Sequence, residues 1–248
     1  MQDLAWLTAR PIAHRGLHDA SCGIIENTRS AAAAAMEAGY GIEADLQRSA
    51  DGEAMVFHDG AIDRLMEGTG AVAALSARQL KAIPFRQTAD RMLSLGDLCD
   101  LVAGRAPLLL ELKSTFNGDR RLALRAADIL QSYRGPVAAM SFDPDFVSTL
   151  RAAAPLLARG ILASRRYDHP HWKDLPRDAV RRMTYFLHFP QTRPQFIAYA
   201  VQDLPAFAPI AAKWILGLPL LTWTVRTGDD RRRAARWADQ IIFEGIRP

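Results

Sequence analysis

Gly41-Ile42-Glu43-Ala44-Asp45-Leu46 reads as a strand with two unlike faces. Successive side chains of a strand point to opposite sides, so Ile42, Ala44 and Leu46 share one face while Glu43 and Asp45 share the other. The apolar set suits packing against helices. The acidic pair then points the opposite way, into the interior or mouth of a barrel. Two like charges there are unfavourable unless something positive lies between them. Leu108-Leu109-Leu110-Glu111-Leu112-Lys113 repeats the pattern, with Leu108, Leu110 and Leu112 outward and Leu109, Glu111 and Lys113 inward.

Outward from these two segments, short apolar runs alternate with helix-like stretches. The other strand candidates are Pro11–His14, Ala54–His58, Val137–Phe142, Ala158–Leu162, Phe196–Ala200, Leu218–Val225 and Gln240–Phe243. Helix candidates are Thr28–Ala38, Ser76–Ala82, Ser94–Val102, Arg120–Tyr133, Pro144–Ala154, Asp203–Leu216 and Asp229–Ala238. Such alternation implies a parallel sheet with helices outside it. With 248 residues, the expected fold is α/β, a (β/α)₈ TIM barrel forming one domain over 1–248. Nine strand candidates are one too many for the barrel, so one lies outside it or is not a strand. Residues 59–90 are too long for an ordinary βα connection and are expected to form a small insertion after the third strand.

Composition narrows the function. Apolar residues make up 49% and charged residues 23%, as in an ordinary globular enzyme. The net charge of +4 favours anionic substrates but is too small and dispersed for nucleic acid. Arg231, Arg232, Arg233 and Arg236 read as the solvated face of the last helix. Cys22 and Cys99 have no metal-ligand spacing and read as free thiols. There is no signal peptide pattern and no apolar run near the roughly 18 residues of a membrane span. These features suggest a cytoplasmic protein without stable membrane insertion; they leave its oligomeric state open.

Three inward carboxylates, Glu43, Asp45 and Glu111, make an oxygen-rich site suited to a hard divalent cation, Mg²⁺ or Ca²⁺, more than to Zn²⁺. His14 and His58 close two further strand candidates. Histidine is the side chain best suited to proton transfer near neutral pH. Arg15 adds a planar donor fork for phosphate. His169, His171 and His188 fall in loop-rich sequence and receive no role. Gly68-x-Gly70-x-x-Ala73 follows no convincing strand, which argues against dinucleotide binding. Neither a nucleophile elbow nor a P-loop occurs.

In order, His14-Arg15-Gly16, Glu26-Asn27-Thr28, Glu43-x-Asp45, His58-Asp59 and Glu111-x-Lys113 resemble the signature of the glycerophosphodiester phosphodiesterase family, with Ser141-Phe142 and Trp223-Thr224-Val225 further on. The resemblance runs from Pro11 to Phe243. It implies that Glu43, Asp45 and Glu111 bind the metal, and that His14 and His58 are the acid–base pair. Arg15 and Lys113 would hold the phosphate, and Glu26 and Asn27 would line the site. Among the aromatic residues, Trp223 is the candidate for shaping the substrate pocket. The implied activity is metal-dependent hydrolysis of glycerophosphodiesters to glycerol 3-phosphate and an alcohol. A lysophospholipase D with an apolar entry at Leu65, Met66 and Phe85, or a non-catalytic phosphate-ester-binding relative, is the alternative. The sequence departs from the family pattern at Leu65-Met66, where a Thr pair is usual, at Arg226, where Asn is usual, and at Phe243-Glu244, where Thr-Asp is usual.

Overall fold

The structure, a computed structural model, describes residues 4–167, 172 and 175–248. Among them, nine strands form one sheet: β1 (Ile12–Ala13), β2 (Gly41–Arg48), β3 (Ala54–Val56), β4 (Leu108–Leu112), β5 (Val137–Ser141), β6 (Ala158–Ala163), β7 (Phe196–Ala200), β8 (Leu220–Val225) and β9 (Gln240–Phe243). Eight of them run parallel in the order β1-β9-β8-β7-β6-β5-β4-β2, and β1 pairs with β2 to close a barrel. This is a (β/α)₈ TIM barrel. The surplus strand is β3, which pairs antiparallel with the overhanging end of β2, Leu46 to Arg48.

Helices flank the barrel: α1 (Ala5–Thr8), α2 (Arg29–Glu37), α3 (Ala77–Ala82), α4 (Leu95–Val102), α5 (Arg121–Leu130), α6 (Pro144–Ala153), α7 (Arg177–Thr184), α8 (Phe189–Thr192), α9 (Phe207–Leu216) and α10 (Gly228–Trp237). Their sequences explain their faces. In α5, Leu122, Ala123, Ala126, Ala127 and Leu130 form one buried stripe at helical spacing. Each of its buried leucines contributes about 1.5–3 kcal/mol. Thr28 caps α2 by accepting the Ala31 backbone N–H, and a Thr227–Asp230 capping box starts α10. Arg231, Arg232, Arg233 and Arg236 are exposed on α10.

Two apolar cores follow from the strand alternation. Ile42, Ala44, Leu46, Leu108, Leu110 and Leu112 pack outward in a cluster with the helices. Ile12, Leu109, Met140, Phe196, Leu221 and Ile242 form a separate cluster with Leu7 of α1. The absent side chain of Gly160 makes room for the Phe196 ring, since a Cβ there would lie 2.2 Å from it. Three expectations are corrected here. The helix expected from Asp203 begins at Phe207, after the short 3₁₀ turn Val201–Asp203 and Leu204-Pro205. Among the described residues, α1, α7 and α8 are additional to the expected helices.

The third correction concerns the segment after β3, which builds a core of its own. Met55, Phe57, Ile62, Met66, Val72, Leu80, Phe85 and Met92 are buried together, and Met66 bridges to Phe85. Met66 and Phe85 therefore cannot form an exposed apolar entry, and Leu65 packs partly buried against them. Gly68 and Gly70 lie inside this segment, with no strand-to-helix turn around them.

His188 is buried between Phe186 and Phe189, with Nδ1 3.2 Å from Thr192 Oγ1. His169 and His171 lie outside the described residues. Burial, then the charge of Arg182, pushes the His188 pKa down from 6.5 to about 4. In that window the unfolded chain binds a proton that the folded chain refuses. Stability is therefore intact above pH 6.5 and falls as pH drops toward 4, by roughly 3 kcal/mol from this group. Urea unfolding of wild type and His188→Asn from pH 7 to 4 should show a steeper decline in wild type. Parallel curves would contradict this role.

Candidate active site

The strand register assembles the acidic cluster. Asp45 of β2 stands beside Glu111 of β4 in the parallel pairing, and Glu43 lies on the same face one residue pair below. One oxygen from each of Glu43, Asp45 and Glu111 lies within 4.8 Å of the others, and all three residues are buried.

The positive charge around them is unevenly shared. Lys113 Nζ is 2.8 Å from Asp45 Oδ1 and 2.7 Å from Glu111 Oε1. Arg15 Nε is 3.3 Å from Asp45 Oδ2, which also accepts a hydrogen bond from Asn27 Nδ2 (2.8 Å). Burial pushes the Asp45 pKa up, but Lys113, with His58 and Arg15, outweighs it and holds the group ionised. Glu43 receives far less. Its Oε2 accepts the Arg15 backbone N–H (2.9 Å), and its buried Oε1 has no hydrogen-bond partner. Burial, reinforced by the charges of Asp45 and Glu111, raises its pKa well above the usual carboxylate range. Burial also raises that of Glu111. An orphaned carboxylate oxygen facing two more carboxylates is what a divalent cation would complete. The all-oxygen donor set suits Mg²⁺ or Ca²⁺.

His14 directly follows β1 at the level of Glu43, with Nε2 4.0 Å from Glu43 Oε2. Its Nδ1 is 2.6 Å from Glu244 Oε2. The β1–β9 register, Ala13 beside Phe243, places Glu244 next to His14. Glu244 also accepts from Arg226 Nη2 (2.8 Å). Two of the three departures from the family pattern, Arg226 and Glu244, thus meet behind one histidine. Hydrogen bonding from His14, with Arg226 adding, lowers the Glu244 pKa to about 2. Burial lowers that of His14, against the opposing pull of Glu244.

His58 arrives differently from what alternation suggests. It lies two residues beyond β3, which runs antiparallel outside the barrel, so it is not at the C-terminal end of a barrel strand. β2 overshoots the barrel, the chain turns back, and the Phe57 N–H bonds to the Asp45 carbonyl (3.0 Å). That return delivers His58 to the acidic cluster, where Asp45 acts on its pKa. Its Nδ1 is 2.7 Å from Asp59 Oδ1. Burial, then Lys113, lowers its pKa. Because a carboxylate only accepts, the Nδ1 of each ring carries hydrogen. Each Nε2 is then the atom left for proton exchange.

Arginine holds the rest together. Arg15 Nη1 donates to Glu26 Oε1 (2.8 Å). Arg64, from the segment after β3, donates to Asp59 Oδ2 (2.6 Å) and to both Glu26 oxygens (2.7 and 3.1 Å). Gly16 explains how His14-Arg15 reach their places. A Cβ on Gly16 would sit 2.7 Å from the Ala31 backbone, and its φ of +78° favours glycine. The helix α2 therefore packs directly behind the turn.

The structure thus brings together His14, Arg15, Glu26, Asn27, Glu43, Asp45, His58, Glu111 and Lys113. Trp223 lies partly buried in β8, with its ring edge-on to Phe142 at 5.5 Å. Phe142 also touches Tyr167 (6.5 Å) and Trp172 (5.0 Å). Glu244, Asp59 and Arg64 had no assigned role in the sequence reading. Asp59 figured there only within the His58-Asp59 motif, and Glu244 only as a departure from the family pattern.

Comparison with known proteins agrees with this arrangement. The glycerophosphodiester phosphodiesterase of Caldanaerobacter subterraneus is 28% identical over 245 residues, covering 94% of this chain and 93% of its own. Glycerophosphodiester phosphodiesterase 1 of Bos taurus is 40% identical over 74 residues, 29% of this chain and 21% of its own. An Oleispira antarctica phosphodiesterase, solved with its product sn-glycerol-3-phosphate, shares the fold. Its TM-score is 0.76 at 19% identity, over 96% of this chain and 94% of that one. Residues 14–246 match the glycerophosphoryl diester phosphodiesterase family, and the chain belongs to that family.

Proposed function

We propose that the protein hydrolyses glycerophosphodiesters to glycerol 3-phosphate and an alcohol, with a divalent cation and two-histidine acid–base catalysis. One observation carries the reading. Three buried carboxylates share an ion-sized space, and two imidazoles, each bound to a carboxylate through Nδ1, stand beside it. Family membership and the product named for the Oleispira protein support the substrate class. We read the chain as one catalytic domain with residues 59–90 as an insertion.

Glu43, Asp45 and Glu111 would hold Mg²⁺ or Ca²⁺, which when bound withdraws charge from the phosphate oxygens. Arg15 and Lys113 orient the phosphodiester and neutralise charge as it builds up. Glu26 fixes Arg15, Asn27 fixes Asp45, and Trp223 with Phe142 forms an apolar wall for the substrate. His58 Nε2 removes the proton from the glycerol hydroxyl next to the ester. That oxygen attacks phosphorus, and His14 Nε2 protonates the departing alcohol. A cyclic phosphodiester remains. His14 then takes a proton from water as it opens the ring, and His58 returns one to the glycerol oxygen. Both histidines end as they began.

A panel of glycerophosphodiesters, assayed with Mg²⁺ and with Ca²⁺ for released glycerol 3-phosphate, tests the activity. A deoxy analogue lacking the adjacent hydroxyl tests the internal attack. Its turnover should be negligible, and an undiminished rate would exclude that step. Glu244 should matter through His14. Glu244→Gln should lower kcat by up to about 10⁴-fold with little change in KM, and Glu244→Asp should recover part of the loss. Wild-type kcat in Glu244→Gln would rule the dyad out.

A further inference from the structure

Six large apolar side chains lie exposed in one region: Tyr185 and Leu187 between α7 and α8, and Phe207, Trp214, Ile215 and Leu216 on α9. Phe207, Trp214 and Ile215 expose 85%, 74% and 78% of their surface. With Arg181 at one rim, all six side chains except Trp214 line a groove of about 670 Å³, and Trp214 adjoins it on α9. Together these side chains present on the order of 800 Å² of apolar surface, since groups of this size carry roughly 150–250 Å² each. That exceeds the largest patch of a typical monomer, about 300–600 Å². It matches the roughly 800 Å² per partner of a stable protein interface.

We propose that this face is the interface of a two-fold dimer in which α9 packs against α9 of a second copy of the chain. The sequence of α9 fits that occupant. Phe207, Ala211, Trp214 and Ile215 recur at helical spacing and form one stripe. Ala211, small and central, lets two crossing helices approach to the usual 8–10 Å or so between axes. The large residues at either end then flank the crossing. A two-fold interface sets the same patch against itself and so needs no other partner. The stripe also offers no charge to be buried. The only charged residue of α9, Lys213, is held by Asp239 (2.7 Å) and the Trp237 carbonyl (3.1 Å). A helix lying on an anionic bilayer carries a row of Lys and Arg along its polar side, and α9 does not. Because α9 follows β7, across the barrel from β2, the second copy leaves the acidic site open.

Sedimentation velocity of the full chain at micromolar concentration tests the proposal. Wild type should run at twice the 27.4 kDa chain mass. The double variant Trp214→Glu/Ile215→Glu should run as a single chain with unchanged circular dichroism and phosphodiesterase turnover. If that variant fails to fold, Ala211→Cys in a Cys22→Ser background supplies a second test. A short bismaleimide should link its chains pairwise, and a product that stays single overturns the proposal. A dimer undisturbed by the double variant also overturns it. So does a wild-type monomer, and one that pellets with phosphatidylglycerol vesicles assigns the face to a bilayer instead.

Discussion

His14→Ala and His58→Ala should each lower kcat on glycerophosphocholine by about 10²- to 10⁴-fold, with the fold intact. The two losses should differ in kind. If His14 protonates the leaving oxygen, a nitrophenyl ester of glycerol phosphate, whose leaving group needs little help, should be turned over by His14→Ala at nearly the wild-type rate. His58→Ala should stay slow on both substrates, because the attacking hydroxyl still needs its proton removed. The opposite pattern would exchange the two roles. Equal rescue of both variants would remove acid catalysis from the account. The hydrogen bonds of Glu244 to His14 and of Asp59 to His58 make either ring competent, so leaving-group dependence is the discriminating measurement.

The second large effect concerns Glu43. Stripping the protein with chelator should abolish turnover, and Mg²⁺ or Ca²⁺ should restore it. Glu43→Gln should not recover at any metal concentration that restores wild type. The same substitution should make the metal-free protein more stable, by about 1 kcal/mol. Glu43 Oε1 is buried without a partner, and a neutral amide there removes the cost of keeping an ionisable carboxyl buried beside Asp45 and Glu111. A variant that is less active yet harder to melt is the mark of a site built for function at the expense of stability. Loss of both activity and metal-free stability would instead make Glu43 an ordinary structural residue.

Much of this arrangement was legible in the sequence because strand alternation is a strict geometric rule. Ile42, Ala44 and Leu46 could not share a face with Glu43 and Asp45, and the barrel keeps them apart. What alternation cannot give is strand direction. His58 looks like the end of another parallel strand, yet β3 runs backward outside the barrel and returns the ring to Asp45. Nor can it give pairing between distant ends. Glu244 stands out only as a departure from a familiar pattern until β9 closes against β1 and sets it beside His14. Met66 and Phe85 looked like an entry because apolar residues in a long connection have no visible partner in sequence. In the fold they are each other's partners. In α7 the charge-rich run Arg177-Asp178-Ala179-Val180-Arg181-Arg182 masked a short helix with Met183 as its buried anchor.

The most direct test is calorimetric titration of metal-free protein with Mg²⁺ or Ca²⁺, in wild type and in Asp45→Asn. Our account predicts one ion per chain in wild type and at least a hundredfold weaker binding in the variant, because Asp45 sits between Glu43 and Glu111. No bound ion in wild type, or equal affinity in the variant, would contradict it.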